Sequence, residues 1–165
     1  MTAANKNIRT IVICPALIYG EGRGIKRESI QVPGMIHFAL KKGTAHHIGK
    51  GENVWSTVHI DDLVELYVLA LYYAPSGSFY FAENGEVSFK ELAETINETF
   101  ELGNQTKSMS IDDAISEWGA EGAHYAFGSN SRVNAEKARI MLGWEPKGKP
   151  VLEDIAHGYY KTINE

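Results

Sequence analysis

The chain has 165 residues, 44% of them hydrophobic, enough to bury one core and to make one domain the default. A net charge of -5 argues against nonspecific nucleic-acid binding, because no basic stripe is available to displace counterions from phosphates. No stretch reaches the length of a membrane-spanning apolar helix, MTAANKNIR lacks the apolar centre of a secretory signal, and the one cysteine, Cys14, has no internal disulfide partner. A cytoplasmic protein with neither a membrane nor a nucleic-acid partner is therefore expected.

In chain order, Ile11, Val12, Ile13 and Cys14 form an unbroken, mostly β-branched run, expected to be a strand buried on both faces. Pro15 ends it, and Gly20, Gly22 and Gly24 follow at a spacing that does not fit a dinucleotide fingerprint, which predicts a flexible connection. A helix begins near Pro33 and Gly34, with Met35, Ile36, Ala39 and Leu40 as its apolar stripe, and ends at Lys41, Lys42 and Gly43. A short strand over 45–48 closes at Gly49 and Gly51. Leu63, Leu66, Tyr67, Ala70, Leu71 and Ala74 then recur at helical spacing until Pro75, and Asp61 and Asp62 in the first turn read as capping carboxylates.

SFYFA, residues 78–82, is the second strong strand, and Asn84-Gly85 is a turn. Ser88 and Glu91 have the spacing of a capping box, opening a helix that buries Leu92, Ile96 and Phe100 and ends near Gly103. Between Asn104 and Ser131 one short helix is expected, over 111–118. Asn134 caps AEKARIML, Gly143 terminates it, and a last amphipathic helix uses Leu152, Ile155, Ala156, Tyr159 and Ile163. Trp118 and Trp144 read as packing residues. Two strands of this kind leave backbone donors and an apolar face uncovered, so the chain reads as part of a larger fold.

Four strings, ICPALIYGEG, WSTVHIDDLVELYVLAL, SFYFAENGEVSFKELAETI and NAEKARIMLGWEP, resemble in order and spacing the C-terminal half of the extended short-chain dehydrogenase/reductases, the NAD-dependent epimerase/dehydratase family. The resemblance implies an α/β fold: the last strands of an incomplete Rossmann-type parallel sheet plus a small, mostly helical substrate-binding lobe, interleaved in one fragment over 1–165. It also implies that Pro15, Ala16, Leu17 and Ile18 lie against the nicotinamide of NAD or NADP, with Tyr19, Trp55 and His59 as substrate-lobe candidates. The glycines at 20, 22 and 24 then lead into the substrate region.

The family's glycine fingerprint is absent from this chain, and none of the eight tyrosines has a lysine four residues on, so the acid/base pair of the family is absent too. No catalytic residue is assigned here, and the chain alone is expected neither to bind the cofactor nor to transfer hydride. Where nucleotide-sugar enzymes of the family often carry an arginine for the diphosphate, Trp55 stands; Leu17 replaces a common asparagine, and Cys14 a common arginine. These departures favour a small, non-nucleotide carbonyl or hydroxyl substrate. His59, with Asp61, Asp62 and the upstream His46-His47, matches no zinc spacing, and no metal is expected. The alternative is a noncatalytic binding or assembly module. In either case self-association, or pairing with a missing N-terminal half, is expected from the apolar face around Ile11, Ile13, Phe79 and Phe81.

Overall fold

The computed structural model describes residues 8–163. It places seven short strands and six α-helices around three apolar clusters. Strands β1 (Ile11–Pro15) and β5 (Ser78–Ala82) form a two-stranded parallel pair, in which Ile13 faces Tyr80 and Pro15 faces Ala82. Strand β2 (Leu17–Tyr19) runs parallel to β4 (Val54–His59), and β4 pairs antiparallel with β6 (Glu86–Ser88). A third pair joins β3 (His46–Ile48) to β7 (Lys107–Met109). The chain thus changes sheets at Pro15-Ala16, where proline fixes the backbone as it leaves β1 and Ala16 donates its N–H to the Ala82 carbonyl (3.0 Å).

Helix α2 (Ile60–Tyr73) and helix α5 (Glu136–Leu142) cover one face of the β1–β5 pair through Leu63, Leu66, Ala70, Tyr80, Ala138, Leu142 and Trp144. The larger core gathers α1 (Gln31–Lys42), α3 (Phe89–Thr99) and α6 (Val151–His157) around Leu17, Tyr19, Ile36, Leu92, Ile96 and Ile155. A third cluster of Phe38, Met109, Ala114 and Ala123 seats α4 (Ile111–Glu121), which is broken at Gly119 and continues as a wide turn over Gly122–Phe127.

Several local expectations hold for their stated reasons. Ser88 accepts from the Glu91 N–H while the Glu91 carboxylate accepts from the Ser88 N–H at 2.8 Å, completing the capping box. Gly143 takes the left-handed conformation that ends α5, and the Asn134 side chain accepts from the Glu136 N–H (2.6 Å) at its start. The Trp144 indole is fully buried, and Trp118 stacks on Phe127 with ring centroids 4.2 Å apart.

Other expectations are corrected. No residue of β1 is fully buried, and Val12 remains 38% exposed, because β5 occupies one edge and the helices only one face. On α2, Tyr67 and Leu71 face outward, so its buried stripe is narrower than the spacing suggested. The last helix ends at Gly158, after which one tight turn over Tyr159–Thr162 buries Tyr160 rather than Tyr159. Strands β2, β4, β6 and β7 went unpredicted, each being short or carrying several polar residues.

Candidate functional site

A broad concavity opens at the carboxyl ends of β1 and β2, a cleft of about 930 Å3. Alternation along β2 decides which side chains reach it: Leu17 and Tyr19 point into the core, while Ala16 and Ile18 line the cleft. The opposite wall is the loop from Gly20 to Ile30, with Gln31 at the head of α1, and Ile60 and Tyr159 complete the lining. The loop is folded on itself by the Gly22 N–H, which donates to the Arg27 carbonyl (2.8 Å), and by an ion pair between Arg27 and Glu21.

One phenol holds both ends of this loop. The buried Tyr160 hydroxyl accepts from the Gly20 N–H at 2.9 Å and lies 3.3 Å from the Ser29 hydroxyl. Burial pushes the Tyr160 phenol up to about 12, with Asp154 adding to the rise while the bonds to Ser29 and Gly20 work against it. It therefore stays protonated at neutral pH and available as a donor to Ser29. Gly20 itself has φ of 93°, and a Cβ there would lie 2.5 Å from the His59 Nε2, so both the backbone and the close approach require glycine.

The substrate-lobe candidates occupy structural positions. Tyr19 is fully buried, donates to the Lys149 carbonyl at 2.6 Å and meets the His59 ring edge-on at 5.3 Å. Burial, with Asp62 and Asp154 nearby, raises its phenol far above the ordinary range. His59 is the N-cap of α2, its Nδ1 accepting from the Asp61 N–H (3.2 Å). Trp55 donates to the Ser129 carbonyl (2.9 Å) and packs against the larger core, away from the cleft lining.

The capping role expected of Asp61 and Asp62 falls to His59 instead. Asp61 pairs with Arg23 at 3.2 Å on the surface. Asp62 is buried and serves a different segment: its carboxylate accepts from the N–H groups of Lys147 (2.8 Å) and Gly148 (2.9 Å), and its carbonyl accepts from the Trp144 indole (2.9 Å). This clasp fixes the link from α5 to α6. At the end of β5, Glu83 binds Arg139 at 2.7 Å and the N–H groups of Ala135 and Gly85. Burial alone would raise its pKa, but these bonds more than offset that and hold the carboxyl below its usual value.

The sequence did not single out Tyr160 behind the cleft, nor Lys26, Arg27, Glu28, Ser29, Gln31, Ile60, Ile25 and Ile30 in its lining. Two isolated isoleucines in an otherwise polar, glycine-containing loop were the available signal for the last two. Among the described residues no group of three or more histidine, cysteine or acidic side chains is placed to hold a metal ion, and none of the helices is long and apolar enough to cross a membrane.

A nicotinamide cofactor fits this cleft at one end. Ala16 and Ile18 present small and apolar surface at the carboxyl ends of parallel strands, where a flat ring would rest. At the other end, the described residues contain no glycine-rich turn opening a helix that would receive a pyrophosphate.

Known proteins similar to this chain share its fold. A family model described as the NAD dependent epimerase/dehydratase family matches residues 1–80. The chain is 29% identical over 170 residues to the oxidase ucsJ of an Acremonium species, covering 90% of this chain and 48% of that protein. Its fold is similar to that of a Thermotoga maritima UDP-glucose 4-epimerase, with a TM-score of 0.72 and 20% identity, over 98% of this chain and 49% of the epimerase. A Bacillus anthracis dTDP-glucose 4,6-dehydratase in complex with NAD is similar at a TM-score of 0.67 and 21% identity, over 92% of this chain and 44% of the dehydratase. The chain spans about half the length of the curated relatives it matches. The likeness to the NAD dependent epimerase/dehydratase family model lies in the first 80 residues, and the solved structures share the expected α/β architecture.

Proposed function

We propose that this chain is the substrate-binding portion of an NAD(P)-dependent reductase, epimerase or dehydratase, acting on a non-nucleotide carbonyl or hydroxyl compound and inactive without a dinucleotide-binding half. The observation that supports this best is the cleft at the carboxyl ends of β1 and β2, floored by Ala16 and Ile18 and faced by the 20–30 loop. When bound, NAD or NADP would supply or accept the hydride. Ala16 and Ile18 would give its ring an apolar seat, and the 20–30 loop would limit water at the reacting carbon. A non-nucleotide substrate is favoured because Trp55, at the position of the diphosphate-gripping arginine, is engaged with Ser129, and Leu17, where an asparagine is common, lies in the core. The proton-transferring group belongs to the other half, since no tyrosine here carries a lysine four residues on.

The test titrates NADH and NADPH into the chain alone and into the full reading frame that contains it, following energy transfer from tryptophan to the nicotinamide. Binding is expected only in the longer protein, and Ile18→Arg is expected to abolish it with an unchanged circular dichroism spectrum. Absence of binding in the longer protein, or efficient turnover of UDP-glucose, would overturn the proposal.

A further inference from the structure

The chemistry of the cleft wall narrows the substrate further, on the premise that this cleft is the substrate site. Three of its polar side chains are engaged: Arg27 is paired with Glu21, Ser29 is bound to Tyr160, and the Gln31 amide donates to the Ala126 carbonyl at 2.7 Å, while Glu28 lies 3.9 Å from the His37 Nε2, too far for a hydrogen bond. Arg23, the loop's remaining arginine, is drawn to Asp61 outside the lining. Lys26 is the basic side chain of the lining that, among the described residues, has no carboxylate within ion-pair distance.

The remaining surface is apolar and uncovered. Ile25 is fully exposed and Ile30 is 79% exposed, both on the loop that faces Ala16, Ile18 and Ile60 across the opening. Large aliphatic side chains left in water on one wall, facing the half-buried Ile18 and Ile60 on the other, gain from any apolar body that fills the cleft. A single ammonium is a point charge without the flat double donor that suits a diphosphate, and both arginines able to supply that fork are engaged.

We propose that the substrate of this cleft is an apolar carbonyl or hydroxyl compound bearing one anionic group of the carboxylate kind, with its body between Ile25, Ile30 and Ile18 and its charge on Lys26. Lys26 is then a specificity-determining residue, selecting the acid over its neutral analogues. The loop supplies both halves of the recognition.

The probes are 2-naphthoate, its neutral amide 2-naphthamide and UDP-glucose, each titrated into the described chain by NMR with the amides of Ile18, Ile25 and Ile30 as reporters. Naphthoate is expected to bind about three- to fivefold tighter than the amide, the size of one partly exposed charge pair. Lys26→Met, which keeps the aliphatic stem, is expected to bring the ratio to about one, and Ile25→Ser to weaken both ligands equally. Equal affinities in the unaltered chain, a ratio insensitive to Lys26→Met, shifts confined to residues of β1 and α2, or a preference for UDP-glucose would overturn it. No dinucleotide enters this assay, so loss of the acid preference sinks this inference alone, whereas failure of the longer protein to bind NADH sinks the proposed function.

Discussion

Replacing Tyr160 by phenylalanine tests whether one hydroxyl organises the cleft. The substitution keeps the ring, which is fully buried, and removes only the oxygen that the Gly20 N–H and the Ser29 hydroxyl share. Gly20 is buried, so its N–H is left without an acceptor, a loss of about 1–3 kcal/mol. The half-buried Ser29 hydroxyl can turn toward water and adds roughly 0.5 kcal/mol. The net expectation is a destabilisation of about 2 kcal/mol, equivalent to about 4–8 °C in Tm for a domain of this size. Urea unfolding followed by tryptophan fluorescence gives the global number, and amide hydrogen exchange at Gly20 gives the local one, which should rise before any change at Ile96 in the core. Ser29→Ala serves as a control, costing under about 1 kcal/mol. If Tyr160→Phe unfolds at the same urea concentration as the unaltered protein and Gly20 keeps its protection, the hydroxyl does not hold the loop and the account of the cleft wall is wrong.

Glu83 gives a pH-dependent prediction. Its folded carboxyl lies below its ordinary value of 4.5, so it contributes stability above that value and loses it as pH falls through the lower folded one. Glu83→Gln should therefore flatten the acid limb of a plot of urea midpoint against pH below about 4.5, and an unchanged limb would assign it to other carboxylates. The apolar groove of about 490 Å3 between β1 and α2, lined by Ile11, Ile13, Val64, Tyr67, Val68 and Leu71, leads us to expect that the chain alone self-associates. Light scattering at increasing concentration should show a rising mass that Val64→Glu with Leu71→Glu suppresses; a constant monomer mass in the unaltered chain would refute this.

The strongest elements were legible because each carried two agreeing local signals. The capping box at Ser88 and Glu91 sits directly before the stripe of Leu92 and Ile96, and Gly143 closes a run that Asn134 opens. Strand β4 hid because its middle, Ser56 and Thr57, is buried yet polar: Ser56 accepts from the Val133 N–H and its own N–H donates to Ser131, partners 75 or more residues away. The same holds for the cleft. The turn at 15–18 followed from the resemblance and reached the opening at Ala16 and Ile18, but the phenol that organises the facing loop sits 140 residues from Gly20. Spacing suggested a buried Tyr159, and the break at Gly158 moved that role one residue along.

The clasp at Asp62 bears on how molecules come and go. Swinging the helices above β1 away from those below β2 would tear three short bonds from a carboxylate and a carbonyl that water does not reach. That makes a clamshell motion expensive at this junction. Traffic through the opening is then governed by the 20–30 segment, whose open middle around Gly24 can move while the scaffold stays still, so the rates of entry and exit belong to a strip of eleven residues rather than to the molecule as a whole.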